Sequence, residues 1–482
     1  MDTNEISKGS LRQLWKVSSA LMISFLSMVT MMFVDRLFLS YYSADALSAA
    51  TSAGTLFWAS SFMCVTFAAM GEVFVAQYNG SKQFEKLGTP VWQMIYFSAI
   101  SFFFFMFLGS YGSVFFMKIN LMNSSEVEYF RWNNYFAPWL TLLTAISAFF
   151  IGQGKTSIIK WMSVLGNGIN ILLDPLFIFG YKGIVPSMGI KGAAIATGIG
   201  IIVQVIVIGS IFLKKENQAS FGTSNFRFNK SLFLKCLRVG TPPALFVLFE
   251  LLGWATFYMM MERISSKHIL VASVTQSILL LFLFFGLGLE KGAAAIAGNL
   301  IGAKKLGEIK RLFWSGIKLS LIFGAVLAVF LGGFAENFID LFFKNSEALS
   351  GSAMGISTEM LSEIKTTLKF SMIVLVLYLT LENVRWLLSG LLTAAGDTFF
   401  PMALGLISIW LFMLAPTYFF VVIPKAPIER ALFIWVLYSA AASALFLIRF
   451  ARGKWKEKKL ISIDEGETSS VPSQNPAGEM GN

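Results

Sequence analysis

Long blocks of apolar residues fill most of the chain, and short polar segments separate them. A helix that spans a bilayer needs about 20 consecutive apolar residues. The strands of a membrane β-barrel instead alternate over about ten residues and show no such blocks. The pattern therefore predicts an all-α integral membrane protein with twelve transmembrane helices. We place these helices at residues 15–40, 47–78, 90–117, 133–152, 158–180, 189–213, 234–262, 269–300, 312–335, 366–395, 399–423 and 430–450.

Composition narrows the class of function. Hydrophobic residues make up 56% of the 482 positions and charged residues only 13%, about half the charged share of a soluble domain. One histidine, His268, and two cysteines leave too few ligands for a zinc site or a thiol relay. A membrane-embedded enzyme would need a clustered nucleophile and base or a metal site, and we expect His268 to be a solvated residue in an external loop. We therefore predict no catalytic residues, no cofactor and no enzyme.

Basic residues set the expected orientation. More than half of the 38 Lys and Arg residues fall in the N-terminal segment, the loops after even-numbered spans and the C-terminal tail. Because basic residues are retained on the cytoplasmic side, both termini are predicted to be cytoplasmic, in a multi-pass plasma membrane protein, most simply of a bacterial inner membrane. This distribution accounts for the net charge of +11, so we expect a lipid bilayer and no nucleic acid as partner. The first span lacks a small-residue cleavage site and is interpreted as a retained helix.

An internal repeat divides the chain into two halves. At an offset of 222 residues, the segment 16–19 aligns with 238–241 and the segment 80–84 with 302–306. At an offset of 242, Gly154-Lys155-Thr156 aligns with Gly396-Asp397-Thr398. An even number of helices per half makes the repeats parallel, related by a pseudo-two-fold axis along the membrane normal. Two such bundles enclose a cleft that can open to either side, which is the geometry of alternating access.

The repeat and the composition together predict the domain organisation. It comprises a cytoplasmic N-terminus at 1–14, an N-lobe at 15–213, a cytoplasmic linker at 214–233, a C-lobe at 234–450 and a disordered cytoplasmic tail at 451–482.

Ionisable residues inside the spans are the candidate functional groups, because each costs at least about 2.5–3.5 kcal/mol to insert. Asp35, Asp174, Glu250 and Glu382 lie deepest in the spans. Five further charged residues also fall in spans, and for those at cytoplasmic helix ends snorkelling or local pairing is the simpler account. These five are Glu72, Glu290, Lys291, Lys318 and Arg385.

A cation site is predicted in the N-lobe. Asn170 and Asp174 are four residues apart, on one helix face. From helix rise, Asp35 and Asp174 lie about 28 and 21 Å from the basic ends of their spans and could meet, with Thr197 nearby. Two carboxylates in a low dielectric cannot both stay ionised unless a cation joins them. The site would therefore bind H⁺ or Na⁺, with Asp35, Asn170 and Asp174 as metal ligands in the Na⁺ case. The alternative is that Asp35 pairs with its neighbour Arg36.

A second acidic site is predicted in the C-lobe. Glu250 lies about 18 Å into its span, and Glu382 lies well inside the tenth span. Arg385 follows Glu382 by three residues, a spacing that would also allow it to neutralise the carboxylate. The sequence leaves both interpretations open.

Several motifs resemble those of a known transporter family. The segments Phe-Val-Asp35-Arg-Leu-Phe-Leu, Ala46-Leu-Ser-Ala-Ala and Ala76-Gln77-Tyr-Asn-Gly80 resemble the opening of the multidrug and toxic compound extrusion (MATE) family. Gly189-Ile-Lys-Gly-Ala-Ala-Ile-Ala-Thr197 and Gly390-Leu-Leu-Thr-Ala-Ala-Gly396-Asp397-Thr398 are similar to further family segments. The resemblance runs from about residue 12 to 450.

The resemblance implies a function and a set of site residues. It implies two six-helix lobes that export mostly organic cations against H⁺ or Na⁺ entry. Asp35, Asn170, Asp174 and Thr197 match the family's N-lobe cation site, and Glu250 and Glu382 match acidic C-lobe positions of other members. This sequence departs from the family where Arg36 follows the key aspartate. It also has Ser18-Ser19-Ala20 in place of the usual proline of the first span, which argues against a proline-driven bend there.

We therefore predict a monomeric antiporter that exchanges organic cations or amphiphilic drugs for H⁺ or Na⁺. The alternative is a lipid or lipid-linked sugar flippase of the same superfamily, whose anionic cargo would favour a basic cavity. Arg36, Lys318 and Arg385 support that alternative, whereas the four deepest ionisable groups are acidic. A major-facilitator carrier shares the six-plus-six layout, but the loop after the second span lacks the pattern of that group.

Overall fold

The protein is described here by a computed structural model, which covers residues 9–343 and 358–461. In this part of the chain, twelve helices are long and apolar enough to cross a membrane, which confirms the predicted fold class. In chain order they are α1 Leu11–Tyr42, α2 Asp45–Gly80, α3 Phe84–Lys118, α4 Ser124–Gly152, α5 Thr156–Phe179, α6 Gly189–Phe212, α7 Lys230–Ile264, α8 Ser266–Gly302, α9 Gly307–Gly333, α10 Ser362–Ala394, α11 Phe399–Val422 and α12 Ile428–Ala451.

Several helices begin at a capping residue that lies before the apolar block from which we predicted them. The side chain of Ser10 accepts a hydrogen bond from the Gln13 amide at the start of α1, and Asn229 accepts one from Leu232 at the start of α7. Such caps satisfy backbone N–H groups that have no partner within the helix. Without an internal proline, α1 is a continuous helix of 32 residues. By contrast, α2 is interrupted at Met70.

The two lobes repeat the same packing order. In the N-lobe, α2 packs on α4, α4 on α6, and α1 on α5. In the C-lobe, the corresponding pairs are α8 with α10, α10 with α12, and α7 with α11. The packing thus reproduces the repeat seen in the sequence, with two six-helix lobes of the same topology.

The lobes meet on the side of the molecule where the chain crosses from α6 to α7, which we call the linker side. There α1 packs on α8 and, in the equivalent contact of the other repeat, α7 packs on α2. One hydrophobic cluster joins Leu14, Val17 and Met22 to residues of α8, and another joins Met70 and Phe74 of α2 to the first turns of α7. Toward the opposite side, the clusters draw on one lobe each. The molecule is therefore closed on the linker side.

Parts of the predicted linker and of the predicted tail form regular structure and contacts with other parts of the chain. Residues 215–221 form a short helix, and the indole of Trp92 donates a hydrogen bond to the carbonyl of Thr223 at 2.8 Å. Residues 451–461, assigned to a disordered tail, fold back because Trp455 stacks on Phe450 and Lys458 pairs with buried Asp397 at 2.8 Å. The rest of the predicted tail, 462–482, and residues 1–8 of the predicted N-terminus lie outside the described residues.

Candidate functional site

The structure brings the four predicted N-lobe residues together. Asp35 lies in α1, Asn170 and Asp174 in α5, and Thr197 in α6, and the packing of α1 and α6 on α5 makes the cluster. Asn170 and Asp174 project from one face of α5, as their spacing predicted. Asp35, Asn170 and Asp174 are all buried.

Hydrogen bonds connect the cluster across the three helices. The Asn170 amide nitrogen donates to Thr197 Oγ1 at 3.1 Å and to Asp174 Oδ1 at 3.3 Å. The Thr197 hydroxyl in turn donates to Asp35 Oδ2 at 3.5 Å. The carboxyls of Asp35 and Asp174 lie within hydrogen-bonding reach of each other. One connected network therefore contains two carboxyl groups.

Three oxygens of this network have no donor. Asp35 Oδ1, Asn170 Oδ1 and Asp174 Oδ2 are buried and accept no hydrogen bond from any residue that the structure describes. Leaving a buried acceptor unpaired costs about 1–3 kcal/mol, and more for a charged group. A proton shared between the carboxyls, or a small hard cation among the oxygens, would remove that cost. The arrangement thus has the chemistry of a cation site.

Arg36 forms no ion pair with Asp35 among the residues that the structure describes. Its side chain is exposed, while the hydrogen bond of Asp35 runs inward to Thr197. Tyr129 of α4, which sequence reasoning missed, lies within electrostatic range of both Asp35 and Asp174. A tyrosine near a helix end carries no sequence signal, so only the packing of α4 could have identified it.

The C-lobe acids have a different environment, because both contact Arg385. The Arg385 Nε donates to Glu382 Oε1 at 2.6 Å, its Nη2 also bonds Glu382, and Nη2 lies 3.5 Å from Glu250 Oε1. Ser439 and Trp386 donate two further hydrogen bonds to Glu382, each at 3.0 Å. The structure therefore brings Glu250 and Glu382 together, but around a fixed cation.

Of the other charged residues predicted within the spans, Glu72 and Lys291 form an ion pair, Glu290 is half-buried and Lys318 is exposed. Glu72 of α2 and Lys291 of α8 form an ion pair of 2.5 Å between the lobes, so the local pairing expected at these helix ends crosses the lobe boundary. Lys318 is exposed on α9.

His268 is not the solvated loop residue that we expected. It lies in the first turn of α8 and is buried, with Nδ1 2.8 Å from Ser265 Oγ and Nε2 3.0 Å from the carbonyl of Ala426. Both ring nitrogens are engaged in joining the start of α8 to the segment before α12, which is a structural role. The expectation was wrong because α8 begins three residues earlier than its apolar block.

Two parallel helical lobes, closed on one side, with a buried acidic cluster in one of them, are typical of a multi-pass membrane transporter. The model of the MatE family matches residues 20–176 and 242–419, which cover both lobes. The chain therefore belongs to the MatE family.

Relatives and solved structures agree with this assignment. The chain is 25% identical over 448 residues to the probable multidrug resistance protein YoeA of Bacillus subtilis, covering 90% of this chain and 91% of that protein. It is 22% identical over 441 residues to the probable multidrug resistance protein NorM of Thermotoga maritima, covering 89% of each. An outward-facing structure of a multidrug resistance MATE family transporter of the MOP superfamily superposes with a TM-score of 0.81 at 18% identity, covering 94% of this chain and 98% of that one.

Proposed function

We propose that the protein is an antiporter that exports organic cations or amphiphilic drugs in exchange for H⁺ or Na⁺ bound in the N-lobe. The observation that carries the proposal is the network of Asp35, Asn170, Asp174 and Thr197, with three buried oxygens that lack donors. A coupling ion can bias the lobes only if it binds one arrangement of them more tightly than the other. A buried pair of carboxyls without a basic partner among the described residues offers a site for such an ion, because its cation must be supplied from outside the protein.

The N-lobe is the better coupling site of the two. Glu382 already has a permanent counter-charge in Arg385 and two hydrogen-bond donors, so an incoming cation would gain little there. Glu250 is a quarter exposed and only 3.5 Å from the same guanidinium. We assign the C-lobe triad to the architecture of that lobe and to the electrostatics of the cleft, and the coupling step to Asp35 and Asp174.

The hydrogen-bond donors and acceptors of the N-lobe network are arranged in a way that suits a bound proton. Asn170 directs its amide nitrogen, a donor, toward Asp174 and Thr197, and the two carboxyls are placed to share one proton. Na⁺ would require oxygen ligands from Asp35, Asp174 and Asn170, and the amide of Asn170 would then turn its oxygen inward. The site accommodates both ions in principle, and the direction of this amide favours H⁺.

The distribution of charged residues also indicates the cargo and the orientation in the membrane. The relatives are described as probable multidrug resistance proteins, and acidic groups predominate among the deep ionisable residues, which suits cationic cargo better than the anionic cargo of a flippase. With the basic segments retained in the cytoplasm, the linker side is cytoplasmic, both termini are inside, and the closed side faces the cytoplasm. The protein would act as a monomer in the plasma membrane, inner in a bacterium with two membranes, without a cofactor.

The test is efflux of a fluorescent organic cation from proteoliposomes with the Na⁺ and pH gradients imposed separately. We expect Asp35→Asn and Asp174→Asn each to reduce gradient-driven efflux about 100-fold, within the range of coupling energies between sites. Asp45→Asn is the matched control, because Asp45 is an exposed N-lobe carboxylate that only accepts a hydrogen bond from Ser125.

Full gradient-driven efflux in both site variants would exclude this cluster as the coupling site. The gradient that drives wild-type efflux identifies the ion, and efflux that responds to neither gradient would overturn the antiport mechanism.

A further inference from the structure

The C-terminal ends of α2 and α8 cross on the linker side, and equivalent positions of the two repeats meet at the crossing. Ala76 in the first repeat corresponds to Gly298 in the second, 222 residues later. A Cβ placed on Gly298 would lie 2.6 Å from the Cβ of Ala76. In a two-fold contact, a position packs against its own mate only at the axis. The pseudo-two-fold axis of the molecule therefore passes between these two residues.

One turn further on, each helix end presses a glycine against the backbone of the other. A Cβ on Gly80 would lie 2.0 Å from the carbonyl oxygen of Asn299, and a Cβ on Gly302 would lie 2.0 Å from that of Gln77. Gly80 and Gly302 are repeat mates, and so are Gln77 and Asn299. The two contacts are one contact repeated by the axis, and both require glycine for the backbones to approach.

The side-chain amides at this crossing form a matching pair of hydrogen bonds. Gln77 Nε2 donates to the carbonyl of Ala394 at 2.7 Å, and Asn299 Nδ2 donates to the carbonyl of Gly152 at 2.8 Å. Gly152 and Ala394 are the last residues of α4 and α10 and are themselves mates, 242 residues apart. The last carbonyls of a helix lack intrahelical partners. Each lobe therefore supplies one amide that caps a helix of the other lobe.

We propose that Gln77 and Asn299 form the linker-side gate of the transporter. Both amides are buried between the lobes, and both bonds must break when the lobes separate on this side. The inference rests on the alternating-access function proposed above, and it assigns the two residues a positioning role, not contact with cargo or ion. Since the pseudo-two-fold axis relates the two hydrogen bonds, each lobe contributes one of them to the gate. Breaking one bond therefore weakens the closed state without opening it fully.

The Glu72–Lys291 ion pair crosses the same boundary but does not follow the axis. The positions that correspond to Glu72 and Lys291 in the other repeat are Ala294 and Ala69. The bonds from Gln77 and Asn299 to the helix-end carbonyls are thus the symmetric part of the closure. The ion pair, and the hydrogen bond of 2.6 Å that Asn79 donates to Asn299 Oδ1, lie outside that symmetry.

Spin-label distances test the gate without requiring transport. Nitroxides at Ser157→Cys and Lys310→Cys, both exposed on the linker side of opposite lobes, report lobe separation once Cys64 and Cys236 are replaced by alanine. We expect Gln77→Met to raise the population with a longer distance about fivefold. Asn299→Leu should raise it by more, because it also removes the hydrogen bond that Asn79 donates to Asn299 Oδ1, and the double variant should show about the product of the two effects. Gln77→Asn, which keeps an amide but shortens its reach, tests the same bond if Gln77→Met fails to fold.

Gln153→Met is the matched control. Gln153 is a buried amide one residue past Gly152, but its Nε2 donates to the carbonyl of Phe149 within its own helix at 3.0 Å. Unchanged distances in the Gln77 and Asn299 variants, or an equal change in the Gln153 variant, would overturn the gate. The two proposals can fail separately, because one is tested by distances and the other by efflux. Unchanged distances would reject the gate but not the antiport proposal, and absent efflux would reject antiport but not the gate.

Discussion

In the N-lobe, Asp35 and Asp174 face each other, and neither forms an ion pair with a basic side chain that the structure describes. In the C-lobe, Glu250 and Glu382 share the guanidinium of Arg385. Each lobe thus brings two acids together in the same helical scaffold. In the C-lobe a side chain supplies the counter-charge, whereas in the N-lobe we propose that a diffusible cation supplies it. We therefore expect the coupling ion to bind in the N-lobe arrangement.

The largest effect is expected when Arg385 is removed. Arg385→Met leaves Glu382 buried with an uncompensated charge, and breaking a buried pair from one side costs about 3–5 kcal/mol. We expect a marked fall in the thermal stability of the purified protein. Lys318→Met, which replaces an exposed basic residue in a span of the same lobe, is the control and should change stability by less than about 0.5 kcal/mol.

The double variant Glu382→Gln/Arg385→Met sharpens this result. The double variant removes both charges of the buried pair and leaves only the half-buried Glu250 without its counter-charge, so much of the lost stability should return. If Arg385→Met alone melts at the wild-type temperature, the guanidinium does not neutralise the C-lobe acids and the contrast between the lobes disappears.

A smaller effect is expected when the hydroxyl group of Thr197 is removed from the N-lobe network. Thr197→Val keeps the shape but removes the link between Asn170 and Asp35, worth about 1 kcal/mol. We expect the H⁺ or Na⁺ concentration for half-maximal efflux to rise about fivefold. Thr144→Val is the control, because that hydroxyl donates only to the carbonyl of Leu140 in its own helix. Equal ion dependence in both variants would remove Thr197 from the site.

The smallest effect is expected at Arg36. Because its side chain is exposed and Asp35 bonds inward, Arg36→Gln should change gradient-driven efflux by less than about twofold. A loss as large as that of Asp35→Asn would restore the alternative in which Arg36 neutralises the aspartate, and the N-lobe would then resemble the C-lobe.

Much of the fold could be predicted because its signals are local or repeated. The apolar blocks of about 20 residues indicate the helices, and the offset of 222 indicates the two lobes. The N-lobe cluster was within reach because Asn170 and Asp174 share a helix face and because the motifs containing Asp35 and Thr197 resemble a family site. The spacing of Glu382 and Arg385 likewise allowed their pairing to be foreseen.

Contacts between distant helices could not be predicted in this way. The Glu72–Lys291 pair and the approach of Glu250 to Arg385 depend on how the lobes and helices pack, and no local spacing encodes them. The amides of Gln77 and Asn299 occupy equivalent positions in the repeat alignment, but their partners are backbone carbonyls, which leave no trace in residue identity. His268 was misplaced for a simpler reason, since a polar first turn was taken for a loop.

The self-facing position at Ala76 and Gly298 bears on how the molecule arose. A half-length ancestor with both ends on one side of the bilayer would have paired with an identical copy across this surface, and tandem fusion preserved that homodimer within a single polypeptide. The bond between Glu72 and Lys291 has no counterpart in the other repeat, and this asymmetry must have arisen after the fusion, because identical copies would have carried the bond twice or not at all.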